Sequence, residues 1–124
     1  MNDVETIQRE RGWRECGFPA GRNYWTSPIT GIHQRYLPDP LADTSEGWWE
    51  FGQIAAWRDK WCTERGAFWS LISCVLLDDE QSWGYEMVIF MLGETTYSAK
   101  HADERAAIIA ALAAAVRHES EATG

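Results

Sequence analysis

The most regular hydrophobic pattern in the chain predicts a helix over residues 43–64. Apolar side chains recur there every three or four positions, as on one face of an amphipathic helix. Asp43 and Glu46 have the spacing of a capping box at the start of a helix. Gly66 stands where a glycine commonly ends one.

The faces of this helix can be assigned by turning each residue about 100° from the last. Trp57 and Trp61 fall on the broad apolar face and are predicted to lie in the core, whereas Trp49 falls on the polar face. Glu50 and Arg58 fall inside the apolar arc. They either reach solvent from its edge or pair with a partner across the core. A buried catalytic carboxylate is the sharper interpretation of Glu50.

The second half of the chain predicts an antiparallel meander followed by a helix. Residues 67–77 are rich in β-branched and aromatic side chains, which favours a strand. Over residues 82–92 two sets of side chains alternate as on the two faces of a return strand, and residues 95–97 are predicted to form a short third strand. Trp69 is assigned to the core. The first strand is apolar on both faces, which predicts that both are covered. An apolar stripe predicts the last helix over residues 102–119.

Residues 1–41 are interrupted so often by glycine and proline that we expect an irregular segment. We allow a short helix over residues 3–10 and an extended piece followed by a turn over residues 22–31. The predicted fold class is α+β, α-β-β-β-α with a three-stranded antiparallel sheet and packed helices. The chain is expected to be one domain, 1–124, with the α-β-β-β-α unit at 42–119. Either one helix covers each face of the sheet, or both share one face and the N-terminal segment covers the other.

Composition places the chain among folded, acidic proteins. Of 124 residues, 45% are hydrophobic, which excludes a disordered tail. No apolar run reaches the roughly 18 residues of a membrane span, and the first residues lack the basic and apolar regions of a signal peptide. Three cysteines without a C-x-x-C pair favour a reducing compartment. We therefore expect a cytoplasmic protein that does not bind a membrane.

The negative charge is concentrated after residue 36. The formal net charge is −8, and counting the charged residues gives +1 over residues 1–36 and −9 over residues 37–124. Binding to nucleic acid needs lysine and arginine to replace counterions, so direct nucleic-acid binding is not expected. An acidic body can instead attach to a basic groove of another protein, or serve solubility alone.

No motif for catalysis, cofactor binding or metal binding is present. The chain lacks the common nucleophile, phosphate-loop and dinucleotide signatures, and no histidine lies within four residues of a cysteine or another histidine. Cys16 therefore has no neighbouring base in the sequence. We expect no enzyme activity, no cofactor and no metal.

Aromatic and arginine side chains outside the predicted core are the candidate binding residues. Such residues anchor protein interfaces because they bury a large, rigid area. An acidic turn between the two long strands could complement a basic partner. The alternatives are that the N-terminal segment lies across the sheet and buries its own aromatics, and that the acidic turn is merely solvated. The candidate partner-binding residues are Trp13, Arg22, Tyr24, Trp25, Arg35, Trp49, Asp78, Asp79 and Glu80.

Several short motifs over residues 37–117 resemble a known family. They are Leu37-Pro38-Asp39, Trp48, Ala55-Ala56-Trp57, Phe68-Trp69-Ser70-Leu71, Trp83-Gly84-Tyr85, Thr96-Tyr97-Ser98-Ala99 and Ala106-Ala107-Ile108-Ile109-Ala110-Ala111-Leu112. In this order they resemble the phage ABA-sandwich domain, a family of small phage and prophage proteins. The resemblance implies a phage origin and α/β/α layering, and it carries no catalytic residues. Residues 1–36 lie outside it.

These observations favour a phage-encoded accessory protein that acts by binding. We expect a host protein as partner, in the host bacterial cytoplasm. The expected target is a host defence effector, and the expected form of inhibition is an anti-CRISPR-type block of a basic nucleic-acid channel. The alternative is a binder of a small molecule or nucleotide signal, with Arg22, Arg35 and nearby aromatics holding phosphate and base. The oligomeric state is left open.

Overall fold

A computed structural model describes residues 2–17, 23–76, 82–91 and 95–123. The fold is α+β, with three helices and two three-stranded antiparallel sheets. The predicted α-β-β-β-α order is confirmed in the second part of the chain, residues 45–123. The elements are α1 (Asp3–Arg11), β1 (Arg14–Gly17), β2 (Asn23–Thr26), β3 (His33–Gln34), α2 (Ser45–Glu64), β4 (Phe68–Val75), β5 (Trp83–Phe90), β6 (Thr96–His101) and α3 (Glu104–Thr123).

The expectation of a mostly irregular N-terminal segment is wrong, whereas the short helix allowed over residues 3–10 is confirmed as α1, and the extended piece followed by a turn is confirmed as β2 and the turn at residues 28–30. Asn2 caps α1, since its Oδ1 accepts a hydrogen bond from the Glu5 amide at 2.8 Å. Gly12 ends the helix with a φ of 112°, a left-handed conformation that glycine adopts readily. The central strand β2 then pairs antiparallel with β1 and β3. Strands of four and two residues are too short to show an alternating pattern, and the pairing of these three strands into a sheet was therefore not predicted.

The start of α2 differs from its prediction by one residue. Thr44, not Asp43, is the N-cap, and its Oγ1 accepts a hydrogen bond from the Gly47 amide at 3.1 Å. The predicted stop at Gly66 is confirmed by its φ of 64°. The faces of α2 are therefore oriented nearly as predicted.

Helices α2 and α3 lie on the same face of the second sheet. Trp69, Ile89 and Tyr97 are paired across β4, β5 and β6 and so share that face. Trp69 donates from Nε1 to Asp59 of α2 at 3.1 Å. The Tyr97 ring lies 5.4 Å from that of His118 in α3. The α/β/α layering implied by the resemblance is therefore wrong.

One hydrophobic core joins α1, α2, α3 and β5. Trp61 is buried in it and Trp57 packs against it, as predicted. Trp69 is 38% exposed, so its assignment to the core is wrong; it lies at the edge, under the Arg58 guanidinium, 3.7 Å from the ring centroid. The other core members include Ile7, Ile54, Cys62, Met87, Ile89, Ile108, Ile109 and Leu112.

The opposite face of the second sheet is open. Phe68 is 73% exposed, Ile72 50% and Phe90 44%. The expectation that both faces are covered is therefore wrong, because nothing in the described ranges packs over these side chains. None of the helices in those ranges is both long and apolar enough to cross a membrane.

Candidate binding surface beside α1 and α2

A buried ion pair fixes α1 against α2. The Arg11 Nη1 lies 2.5 Å from the Glu50 Oε1, and the two side chains are 7% and 5% exposed. Gln8 Nε2 donates to the same oxygen at 2.8 Å. Glu50 thus pairs across the core, one of the two outcomes predicted for it. The sequence analysis did not identify Gln8 and Arg11 as the partners of Glu50. The position of Glu50 within the apolar arc of α2 was the signal that it has a buried polar partner.

The segment before α2 is held in place from two sides. Gln8 Nε2 donates to the Pro38 carbonyl at 3.2 Å. Arg105 of α3 donates to the carbonyls of Pro40 and Ala42 at 3.1 and 3.0 Å. Because both anchors are buried or partly buried, residues 37–42 form a fixed wall beside α1.

An open groove of about 610 Å³ lies between α1 and this wall. We call it the acidic groove. Half-buried Trp25 of β2 contributes an indole to it, and the guanidinium of Arg9 stacks 4.8 Å from the centre of that ring. The lining residues are Asn2, Asp3, Val4, Glu5, Trp25, Leu37, Asp39 and Leu41.

The three carboxylates of the acidic groove differ in their partners. Asp3 accepts from Arg117 at 2.7 Å, and Glu5 lies 3.5 Å from Arg9. Asp39 Oδ1 accepts from the Leu41 amide at 2.9 Å, and Asp39 makes no ion pair within the described part of the chain. Asp39 is therefore the carboxylate with most capacity left for a cation.

A smaller cavity of about 170 Å³ lies on the other side of the wall. Leu37 and Asp39 line the acidic groove and Pro38 lines this cavity, so the segment separates the two. Trp49 lines the cavity and is 62% exposed, whereas Trp13 lines it and is only 5% exposed. The cavity residues are Arg11, Trp13, Ser27, Ile29, Thr30, Gln34, Pro38, Trp49 and Glu50.

The structure brings together some of the predicted binding residues. Trp25 and Trp49 lie on adjoining parts of one surface, on either side of residues 37–39. Trp13 is a core residue, contrary to its assignment outside the core. Tyr24 is half-buried in β2. Arg35 is exposed and stacks on Tyr36 at 5.4 Å, lining neither the acidic groove nor the cavity.

Four predicted binding residues lie outside the described residues. They are Arg22, Asp78, Asp79 and Glu80. Their participation in binding stays a prediction.

A hydrogen-bonded chain in the first sheet was also missed in the sequence. Cys16 Sγ lies 3.0 Å from Thr26 Oγ1, which lies 2.8 Å from His33 Nδ1. The hydroxyl separates thiol from imidazole, so the two do not form a directly bonded nucleophile and base. Among the residues that the structure covers, no three His, Cys, Asp or Glu side chains are grouped to hold a metal ion.

The far end of α2 is tied to α3 by an ion pair. Arg65 Nη2 donates to Glu119 Oε1 at 2.6 Å. This hydrogen bond lowers the pKa of Glu119 and raises the pKa of Arg65. Burial raises the pKa of the nearby Cys62 thiol, so this thiol is protonated and unreactive at neutral pH.

Comparison of the chain with protein-family models, curated proteins and solved structures found no match. The resemblance to phage ABA-sandwich domains therefore stays a prediction. The geometry of the surface around Trp25 and Trp49 is the basis for considering function.

Proposed function

We propose that this protein acts by binding a basic surface of another protein through the acidic groove and the neighbouring Trp49. Trp25 lines the groove together with Asp3, Glu5 and Asp39. A lysine or arginine of the partner can bring its charge to Asp39, beside the indole on which Arg9 already stacks. The observation that carries this proposal is the placement of Trp25 in one groove with Asp39, a carboxylate that makes no ion pair within the described residues.

Trp49 extends this surface beyond the wall of residues 37–39. It is 62% exposed on α2, three residues after Glu46 and so on a neighbouring position of the same helical face. Glu46, like Asp39, makes no ion pair in the described ranges. An exposed indole next to a carboxylate without an ion pair is suited to anchoring a basic partner, because the indole desolvates a large area while the charge provides orientation.

The charge of the whole chain supports the same partner class. A body of −9 over residues 37–124 attracts a positively charged surface over the Debye length, about 10 Å at 0.1 M salt. Such steering accelerates association, and buried aromatic anchors slow dissociation. The two features together favour tight capture of a protein that normally holds nucleic acid.

The biological setting of the proposal rests on the resemblance to phage proteins. In that setting the partner is a host defence effector. The surface around the acidic groove would dock against the basic nucleic-acid channel of a CRISPR effector. Blocking that channel would prevent nucleic acid from entering. No nucleic acid, cofactor or metal is needed for this activity.

A nucleotide-signal binder is less well supported. Arg35 lies outside both the acidic groove and the cavity, and the Arg11 guanidinium is already bonded to Glu50. The phosphate of a nucleotide would therefore meet no unpaired arginine among the described residues that line either space, and Arg22, the other arginine of this alternative, lies outside the described residues.

The test is capture of purified CRISPR effectors by the immobilised protein and by three tryptophan variants. We expect Trp25→Ala and Trp49→Ala each to weaken binding by about 10-fold or more, since interface indoles are typical hot spots. Trp83→Ala is the matched control, because Trp83 is 67% exposed on the second sheet. Equal losses in all three variants, or no loss in the first two, would contradict the proposal. Native mass spectrometry of the purified protein distinguishes the nucleotide-signal binder from the protein-binding proposal, since a retained small ligand adds mass.

A further inference from the structure

The uncovered side of the second sheet is a second, separate surface. We call it the open face. Its side chains alternate with those that contact α2 and α3, and they form rows across the three strands. The open face consists of Phe68, Ser70, Ile72 and Cys74 of β4, Gly84, Glu86, Val88 and Phe90 of β5, and Thr96, Ser98 and Lys100 of β6.

The apolar side chains of the open face are adjacent rather than scattered. Phe68 pairs directly with Phe90, and Ser70 with Val88, while Ile72 lies two residues further along β4. Phe68 and Ile72 are 73% and 50% exposed. Single exposed apolar residues are normal on a protein surface, but a contiguous patch marks an interaction site.

The charge of the open face is balanced, unlike that of the whole molecule. Its two charged groups, Glu86 and Lys100, are cross-strand partners with their charged atoms 4.0 Å apart. The full chain carries −8, so most surfaces of two copies repel each other. A balanced, apolar face is where a second copy can approach without that cost.

We propose that two copies of this chain associate through their open faces about a two-fold axis. An axis along the strands would set Glu86 opposite Glu86 of the partner subunit, which is repulsive. An axis perpendicular to the strands instead sets Phe68 over Ile72 of the partner subunit. The row containing Val88 then meets its own copy at the axis. The second arrangement gives apolar contacts through Phe68, Ile72 and Val88 and separates the like charges, and it also sets Phe90 over Glu86 of the partner subunit.

The size of the open face determines the strength of this dimer. Eight-residue strands are about 27 Å long and three strands about 14 Å wide, so the face covers about 400 Å² in projection. A standard interface uses about 800 Å² from each partner. We therefore expect a weak dimer that forms only at high protein concentration.

The experiment is sedimentation equilibrium of the full chain from about 10 µM to 1 mM. Wild type is expected to pass from monomer to dimer over this range. Ile72→Glu puts a charge on the open face and is expected to raise the Kd at least 10-fold. Ile29→Glu is the matched control: Ile29 is 70% exposed after β2, and its variant is expected to dimerise like wild type. A wild-type monomer at 1 mM, or equal behaviour of the two variants, would overturn the proposal.

A second measurement needs no substitution and so does not depend on the fold of a variant. Dilution of the ¹⁵N-labelled wild-type protein is expected to shift amide resonances of β4 and β5, while those of α1 stay fixed. Shifts confined to α1 and the acidic groove would refute the open-face dimer.

Discussion

Glu50 illustrates how one residue connects the core to the binding surface. Its carboxylate accepts from both Gln8 and Arg11, so it is engaged in structure rather than free for proton transfer. The interpretation as a catalytic carboxylate therefore has no support from its contacts. By holding α1 to α2, Glu50 also fixes the base of the cavity beside Trp49.

Removing Glu50 is expected to destabilise the fold strongly. Glu50→Leu leaves the buried Arg11 guanidinium without its counter-charge, which costs about 3–5 kcal/mol of unfolding free energy. Urea unfolding measures this loss. The control, Glu46→Leu, removes an exposed carboxylate near the start of α2 and is expected to cost less than about 1 kcal/mol. A loss below about 1 kcal/mol for Glu50→Leu would contradict the role of the pair. The double variant Arg11→Met/Glu50→Leu is expected to recover part of the stability.

Two glycines of α2 provide opposite predictions within one helix. A Cβ at Gly52 meets no atom within 4 Å, so Gly52→Ala is expected to stabilise the protein by about 0.5–1 kcal/mol through helix propensity. A Cβ at Gly47 would lie 2.2 Å from the Ala42 carbonyl oxygen. Gly47→Ala is therefore expected to destabilise by about 1–3 kcal/mol. Thermal unfolding of both variants measures these changes in stability. A change of the same sign in both variants would contradict the close packing of α2 against Ala42.

At the scale of elements, the sequence predicted what regular periodicity encodes. The long strands of the second sheet, α2 and α3 were predicted because their patterns run for many residues. The first sheet was not, since β3 has only two residues. The alternation along β4 also indicates that the apolar Phe68 and Ile72 share one face of the strand. It carries no information about whether another element covers that face.

The pairing of α2 with α3 predicts an acid-dependent loss of stability. The hydrogen bond from Arg65 lowers the pKa of Glu119 in the folded state. The stabilisation is therefore present above the unfolded-state pKa and is lost as pH falls through the folded-state value. We expect Glu119→Gln to be less stable than wild type at pH 7. The difference in unfolding free energy is expected to shrink below about pH 4.

Urea unfolding of wild type and Glu119→Gln between pH 7 and pH 3 measures this dependence. Glu121→Gln is the control, because Glu121 is exposed on the same helix and makes no ion pair in the described ranges. A difference between Glu119→Gln and wild type that stays constant with pH would exclude the ion pair as its source.

At the scale of the whole molecule, the binding surface combines predictable and unpredictable residues. Trp49 was predicted to be exposed because it falls opposite the apolar face of α2, and it is. The placement of Asp39 beside Trp25 depends on how residues 37–42 are anchored. One of those anchors, Arg105 to Pro40, joins residues 65 positions apart, and such a distant contact leaves no local pattern in the sequence.

The central claim is that negative charge and indoles on this surface capture a basic partner. The most direct measurement is the affinity for a purified CRISPR effector from about 50 to 500 mM NaCl, with wild type beside Asp39→Asn. Screening shortens the Debye length severalfold over that range, so we predict that wild-type affinity falls by about 10-fold or more. We also predict that Asp39→Asn binds more weakly than wild type at low salt and loses less affinity as salt rises. An affinity that does not change with salt, or an Asp39→Asn variant identical to wild type, would contradict the claim.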